Sequence, residues 1–186
     1  MKTGPLGAAD REAVGHQAEY RGLLVDENRF WSLIESAWRS AGGKTAERRR
    51  LAAGRLPESQ AFALEDALDE VIPALKAQLD RLSAEELLAF DRILERKLYD
   101  IDRAEVHEHT DGSDDGFLYA RGFIVAAGQW YYDAVNVTPA VALAELECEE
   151  MCYLSWQLYQ YKFRELSPSG ISRESCSNQA GWPILD

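Results

Sequence analysis

The chain has 186 residues, of which 46% are apolar, and it carries 32 acidic against 20 basic residues for a net charge of −12. That length suits one self-supporting domain with extensions, and no run approaches the roughly 18 consecutive apolar residues that cross a bilayer. The negative field repels nucleic acid and anionic lipid, so neither is an expected partner; basic or cationic partners are favoured.

Residues 1–25 mix glycine, alanine and charge without a sustained period and read as a mobile tail. The domain is expected over 26–166. At its start Asp26 can accept from free amides of a first turn, and Phe30, Trp31, Ile34, Ala37 and Trp38 recur at helical spacing. Gly42 and Gly43 should stop that first helix. Lys44, Arg48, Arg49, Arg50 and Arg55 then form the one basic cluster, and the spacing reads as a solvated linker face, since a phosphate-binding role would oppose the charge of the whole chain.

A second helix is predicted over 57–82 from the stripe Phe62, Leu68, Val71, Ile72, Leu75, Leu79 and Leu82, with a kink or break at Pro73, which lacks an amide donor. Ser83 with Glu86 three residues on is a capping box, and it starts a third helix over about 84–100. Residues 101–112 read as loop or a short helix. From Ser113 a helix follows that is apolar on nearly every face and should be central, over 114–132. Its Gly116, Gly122 and Gly128 are expected where neighbouring helices approach closely. After Thr138-Pro139, the segment 144–164 reads as one long amphipathic helix, ended near Ser167–Gly170. In the extension 167–186, Trp182 and its neighbours are placed to fold back onto the core. No segment alternates with period two, so the class is all-α: an irregular bundle of about five to six helices.

Three stretches, ENRFWSLIE at 27–35, LSAEELLAFD at 82–91 and SDDGFLYARGFIVAAG at 113–128, resemble the bacterial family catalogued as domain of unknown function 4240. Ser113 to Phe117 with Tyr119, Arg121 and Gly122 carry the likeness most distinctively. The polar run ahead of Ser113, and Phe123 in place of a tryptophan, depart from the pattern. The resemblance implies a small helical domain and no established activity, so function must be argued from the site.

The candidate site is a polar pocket of Ser113, Asp114, Asp115, Arg121, His107 and His109. Serine and aspartate at a helix start satisfy free amides and suit the positive end of its dipole, which accounts for them structurally. Arg121 is different. On a helix buried all round its guanidinium needs a partner, and Asp91, Glu95 or Asp100 from another helix is the expected mate. A pocket there would suit a carboxylate or phosphate.

His107 and His109, with Asp111, Asp114 and Asp115, are metal-ligand types, but helical pairs use positions i and i+4, so no metal is expected. Cys148 and Cys152 share a helix face without two further zinc ligands; they and Cys176 read as reduced thiols, Cys148 and Cys152 as buried ones. The N-terminal residues lack the apolar core of a secretory signal, and a cytoplasmic location is expected. Trp130, Tyr131, Tyr132, Tyr153, Trp156, Tyr159 and Tyr161 exceed what one face buries, leaving some for a protein partner.

The expected function is a binding or regulatory module for a protein or peptide, without a cofactor. One alternative is an enzyme with Asp114 or Asp115 as general base, Arg121 holding an anionic substrate and His107 or His109 as acid or metal ligand. Another is a neutraliser of a basic protein. Catalytic residues and oligomeric state are not legible.

Overall fold

The computed structural model describes residues 25–110, 112–165 and 167–183; the expected N-terminal tail lies outside them except for Val25, which is already buried in the core. Among the described residues the fold is all-helical, and no helix is long and apolar enough to cross a membrane.

Helix α1 (Glu27–Ser40) begins where Asp26 accepts from the Arg29 amide at 2.7 Å and buries Phe30, Trp31, Ile34, Ala37 and Trp38. Gly42 and Gly43 stop it with φ of +91° and +81°, values that favour glycine. The basic stretch is not a linker: it forms α2 (Thr45–Ala52), and Arg48 points inward and is fully buried.

The predicted second helix is two, α3 (Glu58–Glu65) and α4 (Leu68–Leu79). The break falls at Asp66–Ala67 and not at Pro73. Pro73 sits in the second turn of α4, where its missing amide removes only the bond to the Asp69 carbonyl. α5 (Ala84–Asp100) starts with the full capping box, Glu86 N–H to Ser83 Oγ at 3.2 Å and Ser83 N–H to Glu86 Oε2 at 2.9 Å. The short α6 (Ala104–His107) follows.

α7 (Asp114–Ala126) is the central rod: every residue from Gly116 to Ala126 is buried except the half-buried Tyr119. It packs on α5, on α8 (Gln129–Val137) and on α9 (Glu149–Phe163). The expected rod over 114–132 is thus broken. Gly128 takes φ of +101°, and a Cβ there would lie 2.7 Å from Arg48 Nη1 and 2.8 Å from Glu35 Oε1. The turn and the room for that charge pair come from the same residue.

Gly122 makes the closest approach. A Cβ on it would meet the Cys148 carbonyl oxygen at 2.3 Å and Cys152 Sγ at 2.7 Å, which is how near α9 comes to α7.

The helix read over 144–164 starts only at Glu149. Upstream amides are spent on tertiary acceptors: Leu143 N–H on Tyr131 Oη, Glu147 N–H on Glu65 Oε1 and Cys148 N–H on the Tyr119 carbonyl. A helix through 144–148 would have to give up these bonds. After α9 the chain turns back as an irregular strap over 167–183, relieved by one 3-10 turn at Gln179–Gly181.

Candidate functional site: buried charges beneath the strap

On α5 the apolar stripe Leu87, Phe90, Leu94 and Leu98 is interrupted on its buried side by two carboxylates, Asp91 and Glu95. Asp91 is wholly inaccessible. Ser155 on α9 donates to its Oδ1 at 2.8 Å, and Arg173 of the strap donates from Nη2 to Oδ1 and Oδ2 at 3.2 and 3.3 Å. The other arm, Nη1, donates to the Cys152 carbonyl at 2.5 Å, and Glu95 Oε1 stands 3.7 Å from the same Nη2 that meets Asp91. Arg92 links Glu95, at 3.1 Å, to the Ser167 carbonyl. One guanidinium is thus wrapped by two carboxylates and a carbonyl, the kind of pairing that makes burial of a charge tolerable.

Just beyond α5, Asp102 is equally inaccessible and is held by the same strap. Its Oδ1 accepts from Cys176 N–H at 3.0 Å and from the Trp182 indole at 3.1 Å; its Oδ2 accepts from Asn178 N–H at 2.8 Å and lies 3.2 Å from the Ser177 hydroxyl.

Arg121 completes the set. It is fully buried, with Nη1 donating to the Leu98 carbonyl at 2.9 Å and Nη2 to Ser175 Oγ at 3.0 Å. Its guanidinium lies 4.7 Å from the Phe117 ring centre. Among the described residues its Nε has no partner. Burial holds the guanidinium below its ordinary pKa, and the Asp102 charge is the leading influence in the opposite direction.

The expected mates of Arg121 are therefore corrected: Asp91 and Glu95 face Arg173, and Asp100 is half-exposed, 3.8 Å from Arg96. Arg121 is met by a carbonyl, a hydroxyl and a ring, with Asp102 as its leading electrostatic support. Asp102 and Arg173 were not legible as site residues. Two acids on the core-facing side of an otherwise apolar stripe, Asp91 and Glu95, were the available signal.

Of the pocket read from the sequence, Ser113 is the N-cap of α7, accepting from Gly116 N–H at 3.0 Å. Asp114 and Asp115 have exposed side chains on its first turn, while the Asp114 carbonyl takes the Ser175 hydroxyl at 2.6 Å. His107 packs edge-on against Phe117 with ring centres 5.0 Å apart and lies 5.4 Å from Trp182; His109 is exposed. The strap brings His107, Phe117 and Arg121 under one cover. It leaves the two aspartate side chains and His109 outside.

Among the described residues no group of three or more His, Cys, Asp or Glu side chains is placed to hold a metal ion. Cys148 and Cys152 are buried, with Cys152 Sγ 3.3 Å from the Leu118 carbonyl; burial pushes the Cys148 thiol up to about 12 and raises Cys152 as well. Of the aromatic set, Tyr131 and Tyr132 are core, Tyr153 and Tyr159 are half-buried, and Trp130, Trp156 and Tyr161 are exposed.

These features define an all-helical domain whose internal charges are closed by an irregular segment of its own chain. The chain belongs to the family described as protein of unknown function DUF4240, whose model matches residues 25–161. Asp91, Asp102 and Arg121 fall inside that match, and the strap over 167–183 falls beyond it. No match was found among curated proteins or among solved structures.

Proposed function

We propose that the domain is a peptide- or protein-binding module, and that its site is the groove along α5, α7 and α9 now filled by the strap. The observation that carries this is how the strap is held. It is irregular chain, and its main anchors are three bundle groups with inaccessible side chains, Asp91, Asp102 and Arg121, which it meets with a guanidinium, backbone amides, an indole and hydroxyls.

On the bundle side two of these groups are already oriented, Asp91 by Ser155 and Arg121 by the Leu98 carbonyl and Phe117. Preorganised polar groups lower the cost of ordering an extended ligand. A cleft of about 470 Å³ lies between the strap, from Ser167 to Glu174, and Glu95, Tyr153 and Trp156 of the bundle, so the strap does not fill its side of the groove completely. Net charge of −12 supports a basic partner over nucleic acid, and three free cysteines support a reducing, cytoplasmic setting.

The test uses the whole chain with a protease site inserted at the exposed residues 168–170 and cut after folding. A fluorescent peptide carrying the sequence of 167–183 should exchange into the nicked protein, raising its anisotropy saturably. A nicked protein that keeps its helical circular dichroism and takes up no peptide would refute the reading.

A further inference from the structure

We infer that the groove is an arginine-reading site for extended peptides, and that this chain's own strap is its competitor in cis. The inference rests on the peptide-binding reading above and adds the ligand chemistry and the regulation.

The selectivity follows from where the acceptors stand. Asp91 lies off one nitrogen of the Arg173 fork, with Nη2 at 3.2 and 3.3 Å from its oxygens, while the Cys152 carbonyl lies off the other, 2.5 Å from Nη1. A planar guanidinium spans both sides at once. An ammonium is a single, strongly hydrated point: it can satisfy one side only, and it is costlier to strip of water in a pocket whose carboxylate is inaccessible.

The rest of the strap reads out a spacing. Two residues after the arginine a hydroxyl meets Arg121. Three and five residues after it, backbone amides meet Asp102. Those two contacts use the backbone and accept many sequences, so specification falls to side chains, the arginine at Asp91 first and then the Trp182 indole on Asp102. The strap is also an incomplete occupant, because among the described residues Nε of the fully buried Arg121 finds no acceptor beneath it. A ligand that offers one there has an advantage over the tethered segment. It needs one, since a short tether holds the strap at an effective concentration on the order of millimolar.

The experiment compares three synthetic peptides of the 167–183 sequence, carrying arginine, lysine or citrulline at the position of Arg173, on the nicked chain, on the intact chain and on intact R173A. The arginine peptide should bind the nicked chain at least tenfold more tightly than either other peptide. Intact chain should bind it at least tenfold more weakly than nicked chain, and R173A should recover most of that loss.

Equal binding of arginine and lysine peptides would overturn the selectivity while leaving the binding module standing. Equal binding to intact and nicked chains would overturn the competition in cis. Failure of all three peptides on folded nicked chain and on folded R173A would remove the module and this inference together. Should the nicked chain unfold, the R173A arm alone decides: uptake of the arginine peptide but not the lysine peptide supports the inference, and uptake of both or neither defeats it.

Discussion

Two buried arginines meet the central rod α7, Arg48 past its C-terminal end and Arg121 from within it, and they are accommodated in opposite ways. Past its C-terminal end Arg48 of α2 donates to both oxygens of Glu35, at 2.7 and 2.6 Å, and to the Ala127 carbonyl at 3.1 Å, while the Trp38 indole donates to the Ala126 carbonyl at 2.7 Å. Those carbonyls are the negative pole of the rod, so the cation is attracted by the dipole as well as by its partner. In the interior, Arg121 is paired with no carboxylate among the described residues and depends in part on a strap that is not helical. The first closure is made by the bundle itself and belongs to the fold. The second is made by an irregular segment outside the α-helices, which under the proposed function is an occupant of the groove.

The largest effect should come from breaking the first closure. Glu35→Ala leaves Arg48 buried with one carbonyl and the faces of Trp38 and Trp130, and is expected to cost about 3–5 kcal/mol of stability in urea unfolding. Glu35→Leu combined with Arg48→Met should cost less than the single change, because no charge is left unpaired. A cost below about 1 kcal/mol for Glu35→Ala would mean that water replaces the carboxylate and that the two closures do not differ in kind.

Next comes the seam between α7 and α9. Gly122→Ala puts a methyl 2.3 Å from the backbone carbonyl of Cys148, and α9 must move off α7 to admit it. The expected cost is about 2–3 kcal/mol, visible in the thermal midpoint. Since Cys148 and Cys152 are displaced by the same movement, their alkylation by iodoacetamide should quicken. An unchanged midpoint would show that the helices are not locked at this point.

Arg173→Ala should be milder and local. It leaves Asp91 without its guanidinium, but the strap can lift and admit water, so the loss is limited by what docking of the strap is worth, about 1–2 kcal/mol. Amides over 172–182 should exchange with deuterium ten to a hundred times faster while those of α1 and α2 hardly change. Uniform acceleration throughout the chain would make the strap part of the cooperative fold and erase the contrast with Arg48.

The contrast also explains what could be read in the sequence. α1 and α5 were legible to their caps because the signals there are local: Asp26, the Ser83 and Glu86 pair, and an apolar stripe each. Burial of Arg121 was legible from the apolar run around it. What escaped was every feature set by distant partners. Arg48 looked solvated because its neighbours are arginines, and only Glu35 and the gap at Gly128 draw it inward. The start of α9 moved to Glu149 because Tyr131, Glu65 and Tyr119 claim the amides before it. Asp102 and Arg173 lie far apart in the chain, outside any long helix, and no periodicity marks them.

The smallest effect supplies the scale for the others, a charge that stays near water. Glu86 closes the capping box of α5 and meets Arg29 at 2.8 Å across to α1. The Ser83 amide, more than Arg29, holds its carboxyl below the ordinary value of 4.5. A carboxylate with a lowered pKa stabilises the fold above its unfolded value and loses that contribution as pH falls through the folded one. Glu86→Gln keeps an oxygen for the Ser83 amide and removes only the charge. The substitution should therefore cost about 0.5 kcal/mol near pH 7 and nothing near pH 2, read from paired urea titrations. A difference that persisted in acid would belong to packing, and Glu86 would cease to serve as the solvated reference against which the two buried arginines are judged.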